Sequence, residues 1–178
     1  MANEAHAELG GASSAVFDQM RSEHREVLSR MDVFVSDTDR IGSTDGVDAT
    51  VEKTVRETLD HLAHQFDTHM KAEDDVIYTI LEDAIPTARQ SIAPLRQEHD
   101  DLRSMLAGLN ATLALPAGRA RNEQVAVQGQ DFADLLRIHI RKEESVVFSV
   151  AERMLQPAEI ARIVARLSRS KGASNNEA

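Results

Sequence analysis

Apolar residues recur every three or four positions along most of this chain, which is the period of an α-helix. Pro86 ends the second helical stretch because the residue before a proline avoids helical angles. Ser91 is the predicted N-cap of the third helical stretch, and Pro94 lies in the first turn of that helix. The second stretch is long for one straight helix, which leaves room for a kink near Glu73. The pattern predicts long helices at about residues 13–36, 48–85, 91–115 and 119–155, a turn-rich loop at 37–48, and a short helix from Pro157.

These stretches predict an all-α fold, because the chain carries essentially no strand or hairpin signal. Long helices joined by short loops pack antiparallel, so we expect an up-down-up-down four-helix bundle with the short fifth helix capping one end. The bundle is assigned to residues 13–169. Disordered tails are predicted for residues 1–12, where Gly10 and Gly11 interrupt the helical pattern, and for residues 170–178.

Composition narrows the classes of partner and chemistry. The 178 residues fit one domain with a sizeable core. A formal net charge of −10 argues against nucleic acid or anionic lipid as the main partner, since both need a positive field. The chain has no cysteine, which excludes disulfides, thiolate metal sites and a cysteine nucleophile. With no apolar run long enough for a membrane and no export leader, we expect a cytoplasmic protein, as a monomer or weak homodimer.

One histidine pattern occurs twice along the chain. A histidine followed four residues later by a glutamate, and then by a second acid, occurs at His69 and again at His139. An adjacent Glu-His pair precedes each of them, at His24 and at His99. The equivalent histidines are 75 residues apart for the Glu-His pairs and 70 residues apart for the other element. We interpret the pattern as a duplicated helical hairpin.

The repeated residues have the chemistry of a two-metal centre. The histidines lie on the apolar faces of their helices and therefore point into the core. Residues four apart on a helix share a face, about 5–6 Å apart at Cβ, so a His and a Glu can reach one ion together. If both glutamates bridge, each ion receives two imidazoles and two carboxylate oxygens, with one or two positions left for water, oxygen or peroxide. Imidazole and carboxylate without thiolate favour iron, with manganese or zinc as alternatives. The predicted ligands are His24, His69, Glu73, His99, His139 and Glu143.

A plain bundle without metal is the alternative, because core histidines can also be hydrogen-bonded structural residues. A single HxxxE is weak evidence in a chain with 30 acidic residues, but the duplication and the four apolar helix faces favour the metal. The remaining candidate residues are expected at the surface, behind the metal ligands, or in the packed core. We expect His61 and His64 at the surface or behind the ligands, Glu23 and Glu98 behind the ligands or at an interface, Asp74 and Glu144 in solvent, and Tyr78 and Phe148 as packing aromatics.

From about Ser13 to Leu155 the chain resembles the hemerythrin-like family, also called HHE cation-binding domains. The motif elements are Glu23-His24, His69-x-x-x-Glu73-Asp, Glu98-His99 and His139-x-x-x-Glu143-Glu. The resemblance implies a four-helix bundle with a non-haem di-iron centre of Fe2+ or Fe3+, joined by an oxo or hydroxo bridge. Members of the family include oxygen carriers, sensors, and bacterial proteins linked to peroxide, nitric oxide and iron handling.

The chain departs from the oxygen-carrying pattern of that family at two places. Carriers have a second histidine four residues after the third-helix ligand, where this chain has Arg103, and an aspartate five residues after the last histidine, where here Glu143 comes four later. With one imidazole fewer, the implied centre is more carboxylate-rich and more open. We therefore predict catalase-like or peroxidase-like decomposition of hydrogen peroxide in oxidative or nitrosative defence, with no catalytic residue beyond the metal ligands. The alternative is a non-enzymatic protein that binds or senses oxygen, nitric oxide or iron.

Overall fold

All regular structure in the described part of the chain is helical. The computed structural model describes the backbone of residues 2–46 and 48–174, and the side chains of residues 15–46 and 48–169. The predicted all-α class is confirmed over these residues. The helices are α1 (Ala2–Gly42), α2 (Ala49–Gln65), α3 (Thr79–Ala84), α4 (Arg89–Leu113), α5 (Arg119–Lys142), α6 (Ser149–Met154) and α7 (Pro157–Ser174).

Short non-α turns connect several of these helices. π-helical turns at Phe66–Met70 and Glu73–Tyr78 carry the chain from α2 to α3, and a third at Glu143–Phe148 joins α5 to α6. The irregularity expected near Glu73 is therefore a widened turn within a continuous helical stretch. A 3₁₀ turn at Pro86–Ala88 precedes α4. Widened turns of this kind are rare and are frequently found at functional sites. Two of the three begin at the repeated glutamates.

Two predicted boundaries are wrong. α1 continues to Gly42, because Thr38 and Ile41 are buried on the same helical face as Phe34, so the loop predicted to start at residue 37 starts only after Gly42. Ser91 is not an N-cap, because the 3₁₀ turn starting at Pro86 already sets helical backbone ahead of Arg89.

The helices also extend into both predicted tails. The backbone of α1 reaches back to Ala2 across Gly10 and Gly11, and α7 runs to Ser174. Glycine inside a helix costs only about 1 kcal/mol relative to alanine, which does not by itself end a helix. Residue 1 and residues 175–178 lie outside the described part of the chain.

Cross-helix contacts give the arrangement of the four long stretches. α1 packs against α2 and α5, and α4 packs against the same two helices. α1 and the α5–α6 stretch run in opposite directions. Arg21, earlier in α1, forms an ion pair with Glu152 at 2.7 Å, and Asp32, later in α1, forms one with the earlier Arg137 at 2.8 Å. α1 and α5 approach each other closely at Gly129, where an added Cβ would lie 2.6 Å from the Thr38 hydroxyl.

Buried apolar side chains form two clusters, one on each side of a polar layer. The first cluster includes Leu59 and Phe132, and the second includes Phe17, Ile92 and, from α7, Ile163. On each long stretch the repeated His or Glu lies between a member of one cluster and a member of the other. Within residues 2–46 and 48–174, no helix combines the length and apolar composition needed to cross a bilayer.

Candidate metal centre

The polar layer contains the six predicted ligands, brought together from four helical stretches. The side chains of Glu73, Glu143 and His99 have no exposed surface. His69 is the most accessible of the four predicted ligand histidines, with 11 % of its side chain exposed. α1 contributes His24, the α2–α3 stretch contributes His69 and Glu73, α4 contributes His99, and the α5–α6 stretch contributes His139 and Glu143.

The first histidine pair faces both carboxylates. His24 Nε2 lies 2.9 Å from His69 Nε2. Glu73 Oε1 lies 2.8 Å from His69 Nε2, and Glu143 Oε2 lies 3.3 Å from His24 Nε2. These four residues can place one ligand atom each within 4.8 Å of one another, which is close enough to hold one cation.

The second histidine pair faces the other oxygen of Glu73. His99 Nε2 lies 3.1 Å from His139 Nε2, and Glu73 Oε2 lies 3.5 Å from His99 Nε2. Glu73, His99 and His139 form the second group with convergent ligand atoms. Glu73 therefore directs one oxygen to each pair, as a bridging carboxylate does.

Each of the four imidazoles meets an acid at its other ring nitrogen. A histidine that donates Nδ1–H to a carboxylate is fixed in orientation and keeps the lone pair of Nε2 for a cation. Every one of these acids is adjacent in sequence to a predicted ligand. The Nδ1 distances are 2.9 Å from His24 to Glu144, 2.6 Å from His69 to Glu23, 3.0 Å from His99 to Asp74 and 3.1 Å from His139 to Glu98.

Two of these acids were missed by the sequence prediction. Asp74 and Glu144 were expected in solvent, and this is wrong, because each reaches across to a histidine on a neighbouring helix. Glu23 and Glu98 lie behind ligands, one of the two positions expected for them. The signal was present in the repeat, since both HxxxE elements end in a second acid.

Tyr78 has a polar role that was also missed. Its hydroxyl donates a hydrogen bond to Glu143 Oε1 at 2.5 Å, and its ring stacks on His99 with centroids 5.7 Å apart. Phe148, at the equivalent repeat position, stacks on His24 at 5.7 Å and is a packing aromatic as expected. The Tyr/Phe difference between the two copies was the available signal.

Burial and mutual charge shift the pKa values in this layer. Burial lowers the pKa of His24 and His69, but Glu143 and Glu73 outweigh it and raise these pKa values to about 9 and about 10. Burial, together with the charge of Glu73, raises the pKa of Glu143 to about 7. Burial also opposes ionisation of Glu73, yet the charge of His69 holds its pKa well below the usual range. Protons and cations thus compete for the same atoms.

The donor set fits a pair of metal cations. Among the described side chains, Glu73 Oε1, Glu73 Oε2 and Glu143 Oε2 are buried without a hydrogen-bond partner. Buried carboxylates are costly unless a cation pairs with them. Four imidazoles with two carboxylates suit first-row divalent metals such as iron.

A small cavity adjoins the first histidine pair. Apolar side chains, including Val27, Phe66 and Met70, form much of its wall, and His69 and Glu73 also line it. A small neutral molecule could therefore lie between these apolar walls and the buried carboxylate.

Comparison with known families identifies a match. The model described as the hemerythrin HHE cation binding domain matches residues 15–151, well over half of the 178-residue chain and all of both histidine repeats. No curated relative matches the sequence.

Proposed function

Because this chain belongs to the hemerythrin HHE cation-binding family, we propose that it holds two non-haem iron ions and decomposes hydrogen peroxide with them. One observation carries the proposal: four imidazole Nε2 atoms converge on three buried carboxylate oxygens that lack any other partner. Manganese and zinc are the alternative metals for the same donors.

The proposed fold is an antiparallel up-down-up-down four-helix bundle, with α7 as the fifth helix. The reversed order of contacts between α1 and the α5–α6 stretch supports this topology. The contact from Asp74 to His99 links the α2–α3 stretch to α4 in the polar layer, and the contact from Glu52 to Arg121 links the starts of α2 and α5.

The ligand assignment follows the two groups of converging atoms. His24 and His69 would hold one ion with Glu73 Oε1 and Glu143 Oε2, and His99 and His139 would hold the other with Glu73 Oε2. When bound, an iron pair supplies the electron exchange that converts two hydrogen peroxide molecules into two waters and one dioxygen.

The chain's own residues position the ligands and limit access. The four outer acids fix the imidazoles with Nε2 inward, and Tyr78 holds one oxygen of Glu143. The cavity beside His69 is small and mostly apolar, so it would admit only a molecule about the size of peroxide.

Arg103 supports turnover rather than reversible oxygen carriage. At this position, where the resemblance implies a further histidine in oxygen carriers, the guanidinium is 36 % exposed and lies 3.5 Å from Asp74. It offers no ligand atom to the centre. The second histidine pair therefore has fewer donors, which leaves more room for a reacting molecule.

The test is oxygen evolution from hydrogen peroxide by protein reconstituted anaerobically with ferrous iron. We expect Glu73→Ala and Glu143→Ala to abolish evolution, because each removes a buried carboxylate from the converging groups. His64→Ala is the matched control, since His64 is exposed on α2 and should keep the wild-type rate. Unchanged evolution in both glutamate variants would refute the proposal.

A second candidate is a protein that binds or senses oxygen or nitric oxide without turnover, which the apolar cavity also supports. It predicts a spectral change that reverses when the gas is removed, with negligible peroxide consumption. The roles in oxidative or nitrosative defence, the cytoplasmic location and the monomer or weak homodimer state stay predictions.

A further inference from the structure

We infer that the two metal positions are unequal: the His24–His69 position binds a divalent cation more tightly than the His99–His139 position, and the Tyr78 hydroxyl sets the difference. This inference rests on the proposed two-metal centre, and it adds the order in which cations occupy the two positions. It concerns binding affinity, so it can be tested without any measurement of peroxide turnover.

Glu73 offers one oxygen to each of the two positions. Both of its oxygens are buried without a hydrogen-bond partner, so neither is withheld from a cation. One oxygen lies 2.8 Å from His69 Nε2 and the other 3.5 Å from His99 Nε2. Both positions therefore count Glu73 among their converging groups, and the number of carboxylates differs only through Glu143.

Glu143 does not serve the two positions alike. Its Oε1 accepts a hydrogen bond from Tyr78 at 2.5 Å, which makes that oxygen a weaker donor to a cation, and only Oε2 is without a hydrogen-bond partner. That oxygen lies 3.3 Å from His24 Nε2 but 3.9 Å from His139 Nε2. The first position thus has four converging ligand groups and the second has three.

Tyr78 is held firmly enough to impose this choice. The ring is fully buried, stacks on His99, and has the Arg96 guanidinium 5.3 Å from its centroid. The equivalent residue of the other copy, Phe148, stacks on His24 in the same way but carries no hydroxyl. A single oxygen atom therefore breaks the symmetry of the duplicated hairpins at their glutamates.

The experiment is an anaerobic titration of the metal-free protein with Co2+, followed by the visible absorption of the bound ion, with mass spectrometry for stoichiometry. We expect two resolved steps with dissociation constants at least about tenfold apart, the range seen when one group around a metal is altered. His99→Ala should keep the tight step and lose the weak one. His24→Ala should lose the tight step.

Tyr78→Phe tests the cause, because it makes position 78 chemically the same as Phe148. Release of Glu143 Oε1 should strengthen the second step, so the two dissociation constants should approach each other. Thr68→Val is the matched control, since it removes an exposed hydroxyl next to His69 and should leave both steps unchanged. Thermal unfolding of each metal-free variant verifies that it folds.

The outcomes separate this inference from the proposed function. Two equal steps in the wild type, or a tight step that survives His24→Ala and disappears in His99→Ala, would overturn the inference even if peroxide is consumed. An unchanged ratio in Tyr78→Phe would overturn the role of the hydroxyl. Unequal steps without peroxide consumption would support the inference and refute the proposed function, and absence of any binding would refute both.

Discussion

Asp74→Asn tests whether the acids behind the histidines govern metal binding. Asp74 Oδ1 lies 3.0 Å from His99 Nδ1, and the same carboxylate meets Arg96 at 3.3 Å and Arg103 at 3.5 Å. Asparagine has nearly the same shape, and its amide oxygen can still accept a hydrogen bond from Nδ1. The substitution therefore removes the negative charge and keeps the contact.

Loss of such an outer partner weakens metal binding by about 10- to 100-fold, which corresponds to about 1.4–2.8 kcal/mol. The upper part of this range is expected here. Arg96 and Arg103 would stay near His99 without the carboxylate that neutralises them, and their positive charge would oppose an incoming cation.

The assay is the same Co2+ titration, analysed for the weaker of the two steps. Asp75→Asn is the matched control, because Asp75 is the next residue along the chain and is exposed. We expect Asp75→Asn to bind as the wild type does and Asp74→Asn to lose affinity at the His99–His139 position. Identical binding by the two variants would refute the assigned role of the outer acids.

Three further results are expected from packing and charge. Gly129→Ala should destabilise the fold by about 1–3 kcal/mol, because its Cβ would lie 2.6 Å from the Thr38 hydroxyl. Gly108 lies in α4 with open space around it, so Gly108→Ala should stabilise the fold by about 0.5–1 kcal/mol. Urea unfolding measures the free energy of unfolding of both glycine variants. Equal stabilities of the two variants would contradict the close approach of α1 and α5. Metal affinity should rise with pH, because burial is outweighed by Glu73 and Glu143, which raise the pKa of His24 to about 9 and that of His69 to about 10. A cation must displace the second ring proton of each imidazole, and this becomes easier as the pH rises toward these values. Occupancy that does not depend on pH would count against the two histidines as ligands.

The sequence allowed the six inward residues to be predicted because two independent patterns agree on them. The histidines lie in the helical period of the apolar residues, and their spacing to Glu73 and Glu143 repeats along the chain. Burial on a helix follows directly from this period. The six residues can meet only if their four helices pack into one bundle. The four long helical stretches of the sequence predicted this packing.

The outer acids and the tyrosine hydroxyl depend on contacts that one helix cannot reveal. Asp74 is one residue past Glu73 and is rotated by about 100° around its own helix, which looks like a solvent position until α4 brings His99 beside it. The polar role of Tyr78 likewise depends on Glu143, 65 residues away. The end of α1 was misplaced because turn-forming residue types at 37–40 outweighed the buried positions Thr38 and Ile41.

The most direct test of the central claim is the metal content of the protein after anaerobic reconstitution with ferrous iron and removal of loose metal, measured by mass spectrometry beside the Glu73→Ala, Glu143→Ala double variant. We predict about two irons per chain in the wild type, as in bundle cores built from inward histidines and carboxylates, and a loss of both in the variant. Retention of iron by the double variant, or no iron in the wild type, would contradict a two-metal centre at these six residues.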